Sequence, residues 1–159
     1  MTGYGKVRTC LWFDDNAMQA AEFYCSLLPD SRIEDVARYF EGQDMAEPGT
    51  VLMVDFTLAG TPYQAMNGGP HFKLDEAVSI SVATEDQAET DRLWRALTAD
   101  GGDESQCGWL KDRFGSSWQI VPKRSIELLR GPEAARVWPA LMQMKKIDIA
   151  ALEAAAEAP

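Results

Sequence analysis

Residues 106–122 read QCGWLKDRFGSSWQIVP, and the rest of the sequence is interpreted outward from this stretch. Two β-prone runs, residues 107–110 and 117–121, flank a polar segment that ends in Gly115, a residue able to adopt a positive φ. The pattern predicts a β-hairpin. Because the hairpin carries two tryptophans, two glutamines and a cysteine, it is also a candidate wall of a pocket.

The second strand of this hairpin presents two different faces, because side chains alternate between the two sides of a strand. Ser117, Gln119 and Val121 share one face, and Trp118 and Ile120 share the other. We expect Trp118 and Ile120 in the core and Ser117 and Gln119 at the pocket.

The elements that lead to the hairpin occur twice in the same order. A strand, an amphipathic helix and three strands are predicted first, at residues 7–13, 17–28, 32–40, 50–58 and 61–67. A second strand and helix follow at residues 77–83 and 84–99, and then a strand near residues 104–109 and the hairpin. This period of roughly 65 residues predicts two βαβββ modules, at about residues 5–67 and 76–122.

Local signals set the expected ends and faces of these elements. Asp15 or Asn16 can cap the first helix, and Thr84 and Gln87 have the spacing of a capping box for the second. In the strand at residues 50–58, alternation predicts one buried face formed by Leu52, Val54, Phe56 and Leu58.

The predicted fold class is α+β. Residues 1–122 form one domain of two paired modules, each with a helix on one face of a small sheet and a concave open face, and residues 123–159 form a helical extension. The extension has too many apolar side chains for an exposed helix: Val137, Trp138, Leu141, Met142 and Met144. It therefore packs on the domain or on a second subunit; we favour the second subunit and predict a homodimer.

The composition limits the partners and the compartment. A net charge of −10 and a pI near 4.5 argue against nucleic acid and anionic membranes, and favour a small molecule or a second copy of the chain. The three cysteines, Cys10, Cys25 and Cys107, have no CxxC spacing, which is typical of reduced thiols in a cytoplasmic protein. We find neither a signal peptide nor a long apolar run, and expect no membrane span.

Several sequence blocks resemble the PhnB-like branch of the vicinal oxygen chelate superfamily, the group of glyoxalase I, bleomycin-resistance proteins and extradiol dioxygenases. The blocks cover nearly the whole chain, and among them are residues 10–14 (CLWFD), 66–70 (MNGGP), 106–112 (QCGWLKD), 115–122 (GSSWQIVP) and 144–148 (MKKID). The resemblance implies paired βαβββ modules, a homodimer and a cavity on the concave sheet. Members are often labelled 3-demethylubiquinone-9 3-methyltransferase.

The glycines do not support that label. A methyltransferase that uses S-adenosylmethionine usually holds it with a glycine-rich turn between a strand and a helix. Here Gly68-Gly69 precedes Pro70 and a loop, and Gly101-Gly102 follows a helix. We predict no cofactor.

The resemblance also allows a metal site to be tested. Metal-using members place ligands on the first and last strand of each module, which correspond here to Thr9, to Gln64 or Met66, to Ala77 or Ser79, and to Gln119. None of these is a histidine, aspartate, glutamate or cysteine, and neutral amides and hydroxyls bind zinc, nickel or iron poorly. We predict no metal.

No catalytic residue is assigned. His71, the only histidine, lies in a Gly/Pro loop, where a solvent-facing or loop-bracing role is favoured over proton transfer. For Asp55 we favour hydrogen bonding within the sheet, and for Cys107 a structural role over a catalytic thiol.

The remaining polar side chains predict a ligand cavity rather than a reactive centre. The candidate cavity residues are Thr9, Gln64, Asn67, Ser79, Ser81, Trp109, Ser117 and Gln119. The alternative is a closed interior in which these groups bond to one another. Residues 67–69 are more typical of a turn than of a phosphate site. Trp109 is more typical of a core residue than of a ligand platform. The predicted function is metal-free binding of a small apolar or aromatic molecule. The alternatives are a metal-dependent lyase, isomerase or dioxygenase, a quinone-type methyltransferase, and a dimerising scaffold.

Overall fold

The structure is a computed structural model in which residues 6–158 are described. The chain divides into two compact units, Met1–Leu74 and Asp75–Pro159. Each unit contains one four-stranded mixed sheet and one helix between its first two strands. The predicted α+β class, with paired βαβββ modules and a helical C-terminal tail, is confirmed.

The first module has the predicted elements within about two residues. They are β1 (Thr9–Phe13), α1 (Ala17–Leu27), β2 (Arg32–Arg38), β3 (Val51–Leu58) and β4 (Thr61–Asn67). The sheet order is β1-β4-β3-β2, in which β1 runs parallel to β4 and the other pairs are antiparallel.

The core of this module lies between α1 and one face of the sheet. The helix buries residues at helical spacing, and its Tyr24 ring lies 6.4 Å from that of Phe56. Val54, Phe56 and Leu58 are buried, as predicted for the inner face of β3, whereas Leu52, the fourth residue predicted on this face, is only half-buried. Phe56 also stacks on Tyr63 of β4 at 5.4 Å.

The second module repeats the order with shorter strands. Its elements are β5 (Ser79–Thr84), α2 (Gln87–Thr98), a 3₁₀ turn (Ala99–Gly101), β6 (Asp103–Glu104), β7 (Trp109–Lys111) and β8 (Ser117–Pro122), in the sheet order β5-β8-β7-β6. The strand predicted near residues 104–109 is wrong in extent. It ends at Glu104 because Cys107 and Gly108 have positive φ values of 56° and 84°, which form a turn.

The hairpin of β7 and β8 is organised by Asp112. Its carboxylate accepts hydrogen bonds from the backbone N–H groups of Phe114 (2.8 Å) and Ser116 (3.1 Å), and from the indole Nε1 of Trp118 (2.8 Å). Asp112 and Trp118 are buried. Asp112 therefore holds both the hairpin turn and the buried indole of Trp118 in place.

Two predicted helix caps are wrong. The side chain that caps α2 is Asp86, which accepts from the backbone N–H of Glu89 at 2.8 Å, whereas Thr84 is buried and hydrogen bonds to Thr90 at 2.6 Å. At α1 the side chain of Asn16 makes no capping bond.

The tail forms α3 (Lys123–Arg130), α4 (Ala134–Leu141) and α5 (Ile149–Glu157). These helices share a core that includes Val137, Ile147 and Leu152, and Cys107 and Val121 pack against it. The backbone N–H groups of Cys107 and Gly108 donate to the carbonyls of Met144 and Lys145 at 2.8 and 2.7 Å. The structure shows Val137, Leu141 and Met144 packing within the chain's own second module, whereas Trp138 and Met142 of the same predicted apolar set remain exposed.

None of the helices in residues 6–158 combines the length and apolarity needed to cross a membrane.

Candidate functional site

Each module has an open face, defined here as the side of its sheet opposite α1 or α2. In the second module the strand register fixes which residues share this face, because directly paired residues point to the same side. Two rows run across it: Ser79, Ser117 and Lys111, and beside them Ser81, Gln119 and Trp109. The structure therefore brings together all five cavity residues that were predicted in this module.

Polar contacts on this face are only partly satisfied. The Gln119 Nε2 donates to the Ser79 hydroxyl at 2.8 Å. The Ser117 hydroxyl is buried and has no hydrogen-bond partner among the described residues. The bond between Gln119 and Ser79 agrees with the alternative of a closed interior in which the polar groups bond to one another. The Ser117 hydroxyl does not fit that alternative, because it has no hydrogen-bond partner among the described residues.

A cavity of about 240 Å³ opens at one side of the second module. Trp109 lines it, together with Glu76, Asp103, Glu104, Ser105, Leu110 and Lys111. The Lys111 ammonium lies 2.9 Å from the Glu76 carboxylate, and this hydrogen-bonded contact lowers the pKa of Glu76. Of the five cavity residues predicted in this module, Trp109 lines this cavity. The other four do not: Ser79, Ser81, Ser117 and Gln119.

The open face of the first module carries a polar row of its own, formed by Cys10, Gln64 and Asp55. The Gln64 Nε2 donates to Asp55 Oδ1 at 2.9 Å, and Arg8 Nη1 lies 3.3 Å from Asp55 Oδ2. Although Cys10 is exposed, the loss of hydration that its thiolate would suffer at the sheet raises its pKa, and the Asp55 carboxylate adds to this. Asp55 is hydrogen bonded within the sheet, as the sequence analysis favoured.

Two predicted cavity residues of the first module lie on the opposite side of the sheet. Thr9 pairs with Tyr63 and Asn67 pairs with Phe13, so both belong to the face that packs on α1. The expectation that Thr9 shares a face with the polar groups is wrong, because in β1 it is Cys10 that lies beside Gln64. Asn67 is structural: its Oδ1 accepts from the backbone N–H of Ala17 at 2.8 Å, and its Nδ2 donates to the Val51 carbonyl at 3.0 Å.

Sequence reasoning missed Arg8, Cys10 and Lys111. Arg8 and Asp55 are far apart in sequence, and no local pattern connects them. Strand alternation could have found Cys10 and Lys111, since each lies two residues from an open-face tryptophan in β1 or β7. Alternation defines two faces for any strand but does not show which of them is open. In β1 the polar side chain of Thr9 indicated the wrong face.

The loop after β4 is a turn, as predicted, and packing explains why glycine is needed in it. Gly69 has a φ of 82°, and a Cβ on Gly68 would overlap the indole ring of Trp12. His71 in the same loop is exposed.

The metal positions implied by the superfamily were tested on these side chains. Within residues 6–158, no three His, Cys, Asp or Glu side chains lie close enough together to hold a metal ion. The first- and last-strand positions on the open face are Cys10 and Gln64 in the first module, and Ser79 or Ser81 and Gln119 in the second. In each module these positions supply at most one strong ligand, the Cys10 thiol, beside neutral amides and hydroxyls, and this does not fit a zinc, nickel or iron site.

Two βαβββ modules with open sheet faces define the glyoxalase/bleomycin-resistance class of fold. Comparison with known proteins gives the family: the sequence model of the 3-demethylubiquinone-9 3-methyltransferase family matches residues 5–121. The chain belongs to this family, in the PhnB-like branch of the vicinal oxygen chelate superfamily.

Solved structures agree with this assignment. The chain is similar to the PhnB protein from Bacillus cereus, with 31% identity over 74% of this chain and 99% of that chain, and a TM-score of 0.67. A protein from Pseudomonas aeruginosa shares the fold, with 20% identity over 74% of this chain and 97% of that chain, and a TM-score of 0.60. A comparison with curated proteins found no match.

Proposed function

We propose that this chain binds a small apolar or aromatic molecule on the open faces of its sheets, without a bound metal. The observation that carries the proposal is the second module's open face, where Trp109 lines a cavity and lies in the same two strand rows as Gln119 and three serines. An apolar wall with a few convergent polar groups is the usual composition of a small-molecule site.

The unsatisfied Ser117 hydroxyl supports the same conclusion. A buried polar group without a partner costs about 1–3 kcal/mol, and a ligand atom that bonds to it recovers part of this free energy. Lys111, its neighbour across the ladder, keeps a third of its side chain exposed and places its ammonium 2.9 Å from the Glu76 carboxylate.

A thermal-shift screen with phenols, naphthols and quinones tests the proposal. We expect at least one aromatic class to raise the melting temperature, and Gln119→Leu and Ser117→Ala to reduce that shift. Gln106→Leu, an exposed glutamine in the same part of the chain, is the matched control and is expected to behave as the wild type. A complete absence of shifts across the panel would refute the proposal.

Methyl transfer is a second candidate, favoured by the description of the matching family. Against it, residues 68–78 after the Gly68-Gly69 pair contain no helix, whereas cofactor-binding glycines usually open one. Calorimetry with S-adenosylmethionine distinguishes the two, because a methyltransferase is expected to release or absorb measurable heat on binding it.

A metal-dependent lyase, isomerase or dioxygenase is a third candidate, favoured by membership of the superfamily. Elemental analysis of protein purified without chelators tests it. A metal content near one per chain supports this candidate, and a content far below one removes it.

We further propose that the protein is a cytoplasmic homodimer. On α4 and just after it, Trp138 and Met142 are 56% and 47% exposed, and they lie four residues apart on one side. Large exposed apolar side chains are typical of an interface. Analytical ultracentrifugation of the wild type and of a Trp138→Glu, Met142→Glu variant tests this, with a change from dimer to monomer expected.

A further inference from the structure

Two aromatic rings, those of Trp12 and Phe72, meet beside the edge strand β1 of the first module. We infer that these two rings form an aromatic corner that selects aromatic ligands over saturated ones, with Phe72 as the specificity-determining residue. The inference rests on the proposal that the chain binds a small molecule on its open faces. It adds the chemical class of the ligand on the first face, which is an aromatic ring system rather than an aliphatic one.

The Trp12 ring is fixed in position on the open face. Trp12 lies directly opposite Met66 in the ladder, and its indole Nε1 donates to the Gly69 carbonyl at 2.8 Å. Gly68 packs against the six-membered ring, because a Cβ on it would lie only 2.2 to 2.5 Å from three atoms of that ring. A side chain that is already held in one orientation loses little conformational entropy when a ligand binds, so this ring is a preorganised contact surface.

Phe72 supplies the second ring of the aromatic corner. Its centroid lies 5.0 Å from that of the Trp12 ring, and the two ring planes are nearly perpendicular, at 78°. The loop that carries Phe72 is bound to β1 at its start, where the backbone N–H of Gly68 donates to the Phe13 carbonyl at 2.9 Å. Phe72 nevertheless remains 67% exposed, so most of its side chain is open to contact with a further ring.

The chemistry of this corner distinguishes aromatic from saturated ligands. Aromatic rings attract one another in offset-stacked and edge-to-face arrangements, and two perpendicular rings offer a third ring both of these contacts. A saturated ring of the same carbon skeleton buries similar apolar area but has no π system to interact with them. Met66 and Met53 form the row that begins at Trp12, both are half-buried, and their thioether sulfurs also interact favourably with aromatic rings.

A matched pair of compounds tests the inference on the full chain. Isothermal titration compares 2-naphthalenemethanol with its decahydro counterpart, which has the same carbon skeleton and the same alcohol but saturated rings. We expect the wild type to bind the aromatic member about threefold to tenfold more tightly, the ratio that one ring–ring contact supplies beyond the area it buries.

Variants at Phe72 assign this preference to the corner. Phe72→Leu removes the ring and keeps an apolar side chain, so it is expected to weaken the aromatic compound and leave the saturated one unchanged. Phe72→Tyr keeps a ring and is expected to retain the preference. Phe40→Leu is the matched control: Phe40 is 66% exposed, and it follows β2, at the opposite edge of the sheet from β1. It is expected to behave as the wild type.

Alkylation of Cys10 locates the bound compound. Cys10 is exposed and lies two residues from Trp12 on the same face. In a Cys25→Ala, Cys107→Ala background it is the only thiol, and saturating 2-naphthalenemethanol is expected to slow its reaction with iodoacetamide.

Four results would each overturn the inference: no binding of 2-naphthalenemethanol, equal affinity for the two compounds, an undiminished preference in Phe72→Leu, or an unprotected Cys10. The proposed function then still stands on any compound that raises the melting temperature in the thermal-shift screen. If the wild type binds neither member of this pair nor any compound of that screen, the proposed function itself fails.

Discussion

The indole Nε1 of Trp12 donates a hydrogen bond to the carbonyl oxygen of Gly69 at 2.8 Å, which ties the loop after β4 to β1. The backbone N–H groups of Gly68 and Gly69 add bonds of 2.9 and 3.1 Å to the carbonyls of Phe13 and Asp14. The Asn-Gly-Gly block is therefore a clamp that closes the first module. This clamp requires glycine at position 68, because a Cβ there would overlap the Trp12 ring.

Gly68→Ala is expected to destabilise the protein by about 1–3 kcal/mol, because the new Cβ overlaps the Trp12 ring and one of them must move. Urea denaturation followed by circular dichroism measures the change. In a Trp12→Leu background the same substitution has more space and is expected to cost clearly less. Additive effects of the two substitutions would contradict this packing explanation.

Asn67→Ala is expected to cost about 1–2 kcal/mol, since the side chain both caps α1 at Ala17 and bonds to Val51. The matched control is Asn16→Ala, which removes an asparagine next to the same helix end that makes no capping bond, and we expect less than about 0.5 kcal/mol. Thermal unfolding of both variants measures the difference. A larger loss of stability for Asn16→Ala than for Asn67→Ala would show that Asn16, next to the helix in sequence, caps α1 instead.

The fold could be predicted because its signals are local and repeated. The alternation in β3 identified Val54, Phe56 and Leu58 as core residues, and the helical spacing from Ala17 located α1 within one residue. The hairpin was found from Gly115 and its two flanking strands. Each of these signals depends on neighbours within a few residues, which a single sequence displays directly.

All of the candidate site residues were placed on the correct face only in the second module, whereas in the first module Gln64 lies on the open face and Thr9 and Asn67 do not. In β8, Trp118 and Ile120 mark the core side unambiguously, so Ser117 and Gln119 had to lie opposite. In β1 both alternating sets are mostly apolar, and the choice between Thr9 and Cys10 depends on which set α1 covers. The contacts of Arg8 with Asp55 and of Asn67 with Ala17 join distant segments, and only the folded chain reveals them.

Asp112→Ala is expected to destabilise the second module by about 3 kcal/mol, because it removes two turn bonds and leaves the buried Trp118 N–H without its acceptor. Asp112→Asn keeps a carbonyl oxygen and is expected to lose less. Near-ultraviolet circular dichroism reports the packing of the indole, and urea titration reports the stability. Asp103→Ala, an exposed aspartate on β6, is the control and is expected to change neither signal.

Cys25 gives the protein a dependence on alkaline pH. Its thiol lies 3.7 Å from the Thr57 carbonyl, and burial, aided by the Glu34 carboxylate, raises its pKa from 9.0 to about 11. In the unfolded chain the thiol ionises near its ordinary pKa, so above pH 9 the unfolded state loses this proton before the folded state does. The free energy of unfolding is therefore unaffected by Cys25 below pH 9 and is expected to fall as the pH rises towards 11.

Burial also raises the pKa values of Cys10 and Tyr63, so the wild-type curve alone does not isolate Cys25. The test is the difference between the wild type and Cys25→Ala, measured by urea denaturation at pH 8, 9, 10 and 10.5. We expect a constant difference up to pH 9 and then a shallower decline in the variant, because its unfolded state has one thiol fewer to ionise. Parallel curves over the whole range would show that the Cys25 thiol titrates alike in the folded and unfolded chains.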